Sequence, residues 1–176
     1  MKTRRLFQLV FPILALSAVS GNPADWPQFR GPGGNAISET AVPPVAFGPS
    51  TNVFWKTPLP SGYSSPVVTG DLVFVTSDEA GLETLALSRK DGRILWRKAA
   101  LAVKTDSRKK TNDSPGRASS TPATDGTFVF VFFGKAGLIA YDLQGTERWR
   151  WSPPAPDPEI SASPILIDDK VIIVCD

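Results

Sequence analysis

The sequence contains a pattern that occurs twice in full and once in part. The first copy starts at Ser64-Ser65-Pro66 and ends at Gly92-Arg93-Ile94-Leu95-Trp96, and the second runs from Ser119-Ser120-Thr121-Pro122 to Gly145-Thr146-Glu147-Arg148-Trp149. A third copy starts at Ser161-Ala162-Ser163-Pro164. In both full copies the glycine precedes the tryptophan by four residues. Periods of roughly 20 to 50 residues are typical of architectures that stack similar units, so the chain is predicted to be a repeat fold.

Each full copy divides into four short segments rich in β-branched and aromatic residues, separated by turns that contain Gly and Asp. The segments are residues 64–69, 72–77, 84–88 and 94–98 in the first copy, and 119–124, 127–133, 138–142 and 147–151 in the second. Residues 72–75 and 128–133 are apolar throughout, which predicts strands covered on both faces. Four-stranded antiparallel sheets stacked face to face provide that cover. The prediction is an all-β propeller with about two and a half blades and an incomplete ring.

A parallel α/β fold would also cover both faces of such strands. The connections are rich in Gly, Pro and Lys, however, and no ten-residue stretch shows apolar residues at helical spacing. The all-β interpretation is therefore favoured.

Residues 1–20 have the pattern of a secretory signal peptide. Three basic residues precede an apolar run over residues 6–19, which is shorter than the about 20 residues of a membrane span. Removal of this segment reduces the 19 Lys and Arg residues to 16, against 17 Asp and Glu, so the charge does not indicate a nucleic-acid partner. The sequence predicts an exported protein of the periplasm or cell envelope, with no transmembrane span.

Outside the repeats, the composition separates three further parts. Residues 21–51 are predicted to be an irregular Pro- and Gly-rich strap, with Trp26 and Phe29 holding it to the domain surface. Residues 52–58 are predicted to form a short strand, and residues 101–118 a basic loop insertion that is a solvated surface loop or, alternatively, a contact patch for an acidic partner. The blades are assigned to residues 62–100, residues 119–152 and, for a truncated third blade, residues 153–176.

The Ser-Ser-Pro start, the Ala-x-(Ser/Asp) segment and the Gly-x-x-x-Trp ending together resemble the repeat of the quinoprotein-like β-propeller family. This family includes the pyrroloquinoline quinone dehydrogenases and the scaffold lipoprotein of the outer-membrane barrel-assembly machinery. The opening over residues 25–32 looks like the start of exported bacterial members. The resemblance implies that the tryptophan of each outer strand is wedged against the neighbouring blade. The positions matched to this docking role are Trp55, Trp96, Trp149, Ala86, Ala140, Gly92 and Gly145.

The resemblance also has consequences for the extent of the protein. Rings of this family commonly close with about eight blades. The chain is therefore expected to be a fragment, with further blades downstream and with residues 52–58 resembling a ring-closing outer strand.

The sequence assigns no catalytic, cofactor-binding or metal-binding residue. It contains no His, which excludes Ser-His-Asp and Cys-His catalysis, His-ligated zinc and haem within this stretch. Cys175 is its single cysteine, so the stretch holds no thiolate metal site. A quinone dehydrogenase of the family would need calcium, a general-base carboxylate, a stacking tryptophan and, in many members, adjacent cysteines. The adjacent cysteines are absent, and no carboxylate cluster matches.

Three functional hypotheses follow. The first is an exported, non-catalytic propeller that serves as a binding or scaffold module for protein or surface-polymer partners. The second is a fragment of a dehydrogenase that uses pyrroloquinoline quinone with calcium, bound by other blades. The third is carbohydrate binding by Trp26, Trp151 and Tyr63.

Overall fold

The computed structural model of the chain describes residues 25–79, 81–100, 118–153 and 162–175. The predicted signal peptide and nearly all of the predicted basic loop lie outside these residues. The first sheet, called the first blade, has the strand order β1(Val67–Thr69), β2(Leu72–Ser77), β3(Glu83–Ser88) and β4(Ile94–Ala99). The second blade has the order β5(Ala123–Thr124), β6(Phe128–Phe132), β7(Leu138–Asp142) and β8(Glu147–Trp151). The third unit contributes the hairpin of β9(Ile165–Ile167) and β10(Lys170–Ile172).

All neighbouring strands are antiparallel, and no α-helix occurs among the described residues. The predicted fold class is therefore confirmed: the structure consists of four-stranded antiparallel blades in open sheets, as in a partial propeller. No helix with the length and hydropathy needed to cross a membrane is found in this described part of the chain.

The observed strands follow the predicted segments to within one residue at most of their ends, with two larger differences. The inner strands β1 and β5 begin at Val67 and Ala123, three and four residues later than predicted. The prolines that precede them, Pro66 and Pro122, have no N–H to donate to a neighbouring strand, so the pairing starts after them. Residues 52–58, predicted as a strand, pair with no strand among the described residues, because a strand forms only where a neighbour can accept its hydrogen bonds.

The uninterrupted apolar run of β6 serves two cores, one on each face of the second blade. Successive side chains of a strand point to opposite faces. Val129 and Val131 pack in the cluster shared with the first blade, whereas Phe130 and Phe132 pack in the cluster shared with the hairpin of the third unit. This is the two-sided cover that the apolar run predicts.

Candidate docking sites

The first candidate docking site is at Trp96, whose side chain contacts both the first and the second blade. The Trp96 Nε1–H donates a hydrogen bond to the Leu143 carbonyl oxygen at 2.9 Å. A Cβ atom added to Gly145 would lie 2.8 Å from Trp96 Cδ2, and Gly145 has a φ of +82°, so glycine alone suits this position. The indole also lies between two other rings, with centroid distances of 5.8 Å to Phe74 and 6.0 Å to Tyr141. The indole thus fills the seam between the blades and is hydrogen-bonded across it.

Trp55 makes a similar hydrogen bond and a similar glycine contact one unit earlier. Its Nε1–H donates to the Arg89 carbonyl oxygen at 2.8 Å, and its indole lies against Gly92, which has a φ of +72°. The Thr57 hydroxyl donates to the Gly92 carbonyl oxygen at 2.7 Å. Residues 52–58 are therefore attached to the first blade through side chains, although they form no paired strand there.

Trp149 is more exposed than Trp55 and Trp96, with 43% of its surface accessible to solvent. One side of its indole meets Phe130, with the ring centroids 5.9 Å apart. The other side borders a depression whose wall includes Leu138, Trp151, Val171 and Ile173. Among the described residues no turn glycine receives this indole, so the contacts of Trp149 differ from those of Trp55 and Trp96.

The two alanines matched by the resemblance lie between an aromatic pair in each blade. The strand register aligns Phe74, Ala86 and Trp96 in the first blade, and Phe130, Ala140 and Trp149 in the second. A methyl group between the two rings allows them to approach each other over the sheet, which a larger side chain would prevent. The sequence reasoning missed both phenylalanines, although each lies eight residues after the repeat proline.

The residue before each repeat proline links the inner strands of adjacent units. The Ser65 N–H donates to Thr121 Oγ1 at 3.0 Å, and the Thr121 N–H donates to Ser163 Oγ at 2.9 Å. The Ser120 hydroxyl adds a hydrogen bond to the Ala162 carbonyl oxygen at 2.8 Å. The Ser-Ser-Pro pattern is visible in the sequence, but its function as a chain of hydrogen bonds between units emerges only from the structure.

The glycine turns that receive the indoles are organised by aspartates. The Asp142 carboxylate accepts hydrogen bonds from the Thr146 N–H at 2.7 Å and the Gln144 N–H at 3.1 Å, and Arg148 pairs with it at 2.8 Å. The Thr146 hydrogen bond, followed by the charge of Arg148, lowers the pKa of Asp142. In the first blade, hydrogen bonds from Ser88 and then from the backbone of Arg93 lower the pKa of Asp91.

The lowered pKa of Asp142 predicts that the turn around Gly145 loses stability in acid. A carboxyl group with a lowered folded-state pKa contributes stability above its unfolded pKa, and that stability is lost as the pH falls through the folded-state value. As the pH is lowered from about 5 to about 2, we expect the urea concentration at the unfolding midpoint of the wild type to decrease. We expect Asp142→Asn to make this decrease smaller. Urea unfolding of both proteins at pH 7 and at the acid end of this range measures the difference. Parallel pH profiles for the two proteins would contradict the prediction.

The described residues do not form a site for pyrroloquinoline quinone with calcium. Trp149 and Trp151 offer flat rings, but Asp169 is the one carboxylate beside their depression in the described part of the chain. No group of three His, Cys, Asp or Glu side chains there is arranged to hold a metal ion. Cys175 is an exposed free thiol. Of the three residues considered for carbohydrate binding, Trp26 packs on Gly31 within the strap, Trp151 lies beside Trp149, and Tyr63 is 70% exposed.

Comparisons with known proteins identify similar sequences and structures. Residues 35–98 match a family model described as outer membrane protein assembly factor BamB. The structure of BamB from Moraxella catarrhalis superposes with a TM-score of 0.53 at 18% identity, covering 70% of this chain and 38% of that chain. A europium-containing methanol dehydrogenase has a TM-score of 0.45 at 21% identity, covering 66% of this chain and 20% of the other. A quinohemoprotein alcohol dehydrogenase from Pseudomonas putida HK5 has a TM-score of 0.49 at 21% identity, covering 69% and 18%.

A comparison with curated proteins finds no match. The chain spans between 18% and 38% of the length of the three solved structures. The chain is therefore similar to pyrroloquinoline quinone-repeat β-propellers, in sequence over residues 35–98 and in fold through its four-stranded blades.

Proposed function

We propose that the chain is part of an exported, non-catalytic β-propeller that serves as a scaffold for a protein partner. The observation that carries this proposal is an exposed apolar segment over residues 42–54, called the apolar arm. Val42, Val45, Phe47 and Phe54 in this arm are 94%, 102%, 80% and 100% exposed. These exposed apolar side chains lie close together in the sequence, and covering them against a protein partner would be favourable.

The apolar arm is held by local hydrogen bonds. Gly48 and Thr51 exchange backbone hydrogen bonds of 3.1 and 3.2 Å, and the Asn52 side-chain amide donates to the Ala46 carbonyl oxygen at 2.5 Å. Directly after the arm, Trp55 is attached to the first blade by its hydrogen bond to Arg89. An ordered segment loses less conformational entropy on binding than a disordered one, which supports the arm as a contact surface.

Two further observations support a scaffold with a protein partner. The first is that the whole arm lies within residues 35–98, which match a family model described as an outer membrane protein assembly factor. The second observation is the contacts at the seams between blades. In this proposal the predicted docking residues hold neighbouring blades in one relative orientation, and the arm is attached to this rigid unit. The residues in this docking role are Trp55, Trp96, Trp149, Ala86, Ala140, Gly92 and Gly145.

Site-specific photo-crosslinking tests the proposal. A photoreactive phenylalanine analogue at Phe47 is expected to give a discrete protein adduct in cells that produce the chain, whereas the same analogue at the exposed Thr127 of the second blade is not. The adduct should be recovered with the exported fraction. Val45→Glu is expected to reduce the adduct at least about tenfold without changing the melting temperature, since Val45 is fully exposed.

Two results would contradict the proposal. The first is equal crosslinking at the arm and at Thr127, and the second is an adduct at Phe47 that Val45→Glu leaves unchanged. Reduction of a dye by the purified protein after addition of pyrroloquinoline quinone and calcium would instead favour the dehydrogenase alternative.

A further inference from the structure

The strap contacts the inner strand of all three units at the same repeat position. Val68, Thr124 and Leu166 each lie two residues after the repeat proline of their unit. Their strands, β1, β5 and β9, are each at the end of their sheet. The outward backbone amides of such an edge strand need an acceptor from outside the sheet or from water.

Consecutive strap residues provide these acceptors. The Trp26 carbonyl oxygen accepts from the Val68 N–H at 2.9 Å, and the Pro27 carbonyl oxygen accepts from the Thr124 N–H at 2.8 Å. The Gln28 side-chain oxygen Oε1 accepts from the Leu166 N–H at 3.0 Å. Three neighbouring residues of the strap thus serve three successive units, one acceptor for each.

Both ends of this short segment are fixed. At the start, the Asp25 carboxylate accepts hydrogen bonds from the Gly70 N–H at 3.0 Å and from the Thr69 hydroxyl at 3.3 Å. After Gln28, the Gly31 N–H donates to the Gln28 carbonyl oxygen at 2.9 Å, and a Cβ atom at Gly31 would lie 2.7 Å from Trp26 Cη2. The chain therefore turns back tightly over the Trp26 indole, which limits the acceptor segment to residues 25–28.

We propose that the aligned amides of Val68, Thr124 and Leu166 form a binding site for an extended segment with one oxygen acceptor per blade, and that residues 25–28 are its occupant. In stacked repeat proteins each unit normally contacts only its neighbours. This inter-blade clasp adds a direct connection from the first unit to the third, which the seams do not provide. It stands independently of the proposed partner binding.

Two substitutions at Gln28 in the full chain test the clasp. Gln28→Leu keeps the side-chain volume and removes the acceptor oxygen, whereas Gln28→Glu keeps an oxygen at the same reach. We expect Gln28→Leu to speed hydrogen exchange of the Leu166 amide by about tenfold while the amides of Val68 and Thr124 stay protected. Gln28→Glu is expected to retain most of the Leu166 protection. Amide exchange resolved by NMR measures all three sites in one experiment.

Gln144→Leu is the matched control, because Gln144 is exposed in the turn between β7 and β8 and its substitution should leave the three amides unchanged. An unchanged Leu166 exchange rate in Gln28→Leu overturns the proposal. Equal acceleration in Gln28→Leu and Gln28→Glu also overturns it, since the effect would then not depend on the acceptor. Neither outcome bears on the crosslinking at the apolar arm.

Discussion

Replacing Trp96 by alanine is expected to lower the free energy of unfolding by about 3 kcal/mol. The indole packs between Phe74 and Tyr141 and donates to the Leu143 carbonyl oxygen, and all of these contacts are lost together. Trp149→Ala is the matched comparison, because Trp149 occupies the same repeat position but is 43% exposed. That substitution is expected to cost about 1 kcal/mol. Urea unfolding curves of the two variants and the wild type measure both values.

The difference between the two tryptophan variants tests whether the closed seam carries the stability. Equal losses would mean that the indole stabilises its own blade through the phenylalanine beneath it. A larger loss at Trp96 would support the proposed docking role of this residue, because its additional contacts lie across the seam.

Gly145→Ala is expected to lower the free energy of unfolding by about 2 to 3 kcal/mol. The added methyl group meets the Trp96 ring at 2.8 Å, and the backbone at φ +82° is strained for any residue with a Cβ atom. Gly70→Ala separates these two effects, because Gly70 also has a positive φ, of +51°, but nothing lies within 4 Å of its added Cβ atom. We expect Gly70→Ala to cost about 1 kcal/mol. Similar losses at both glycines would show that backbone strain alone sets the cost.

The sequence predicts the strands well because their signals are local. Asp-Gly turns and apolar β-branched runs occur within each copy. Because the pattern occurs twice, each segment can be identified independently in both copies. The two-sided burial of β6 was likewise predictable, since a run with no polar residue over residues 128–133 leaves no face for solvent.

The remaining features depend on groups that are distant in the sequence. Residues 52–58 have the composition of a strand but no partner strand among the described residues, and composition does not report the presence of a neighbour. The clasp uses backbone oxygens of Trp26 and Pro27 and a single side chain, Gln28, whose acceptor function has no local pattern. Phe74 and Phe130 do share an offset in the sequence, eight residues after the repeat proline. Their role is clear only from the strand register, which places them opposite Ala86 and Ala140.

The hydrogen bonds at Ser65, Thr121 and Ser163 give the stack a direction. Each unit offers an amide donor on its forward side and a hydroxyl acceptor on its rear side, and the indoles of Trp55 and Trp96 also point forward along the chain. Two forward faces brought together by a twofold axis would oppose donor to donor and ring to ring. A seam of this kind therefore joins two different faces, so a unit that extends the stack must present its rear side to the forward side of the unit before it.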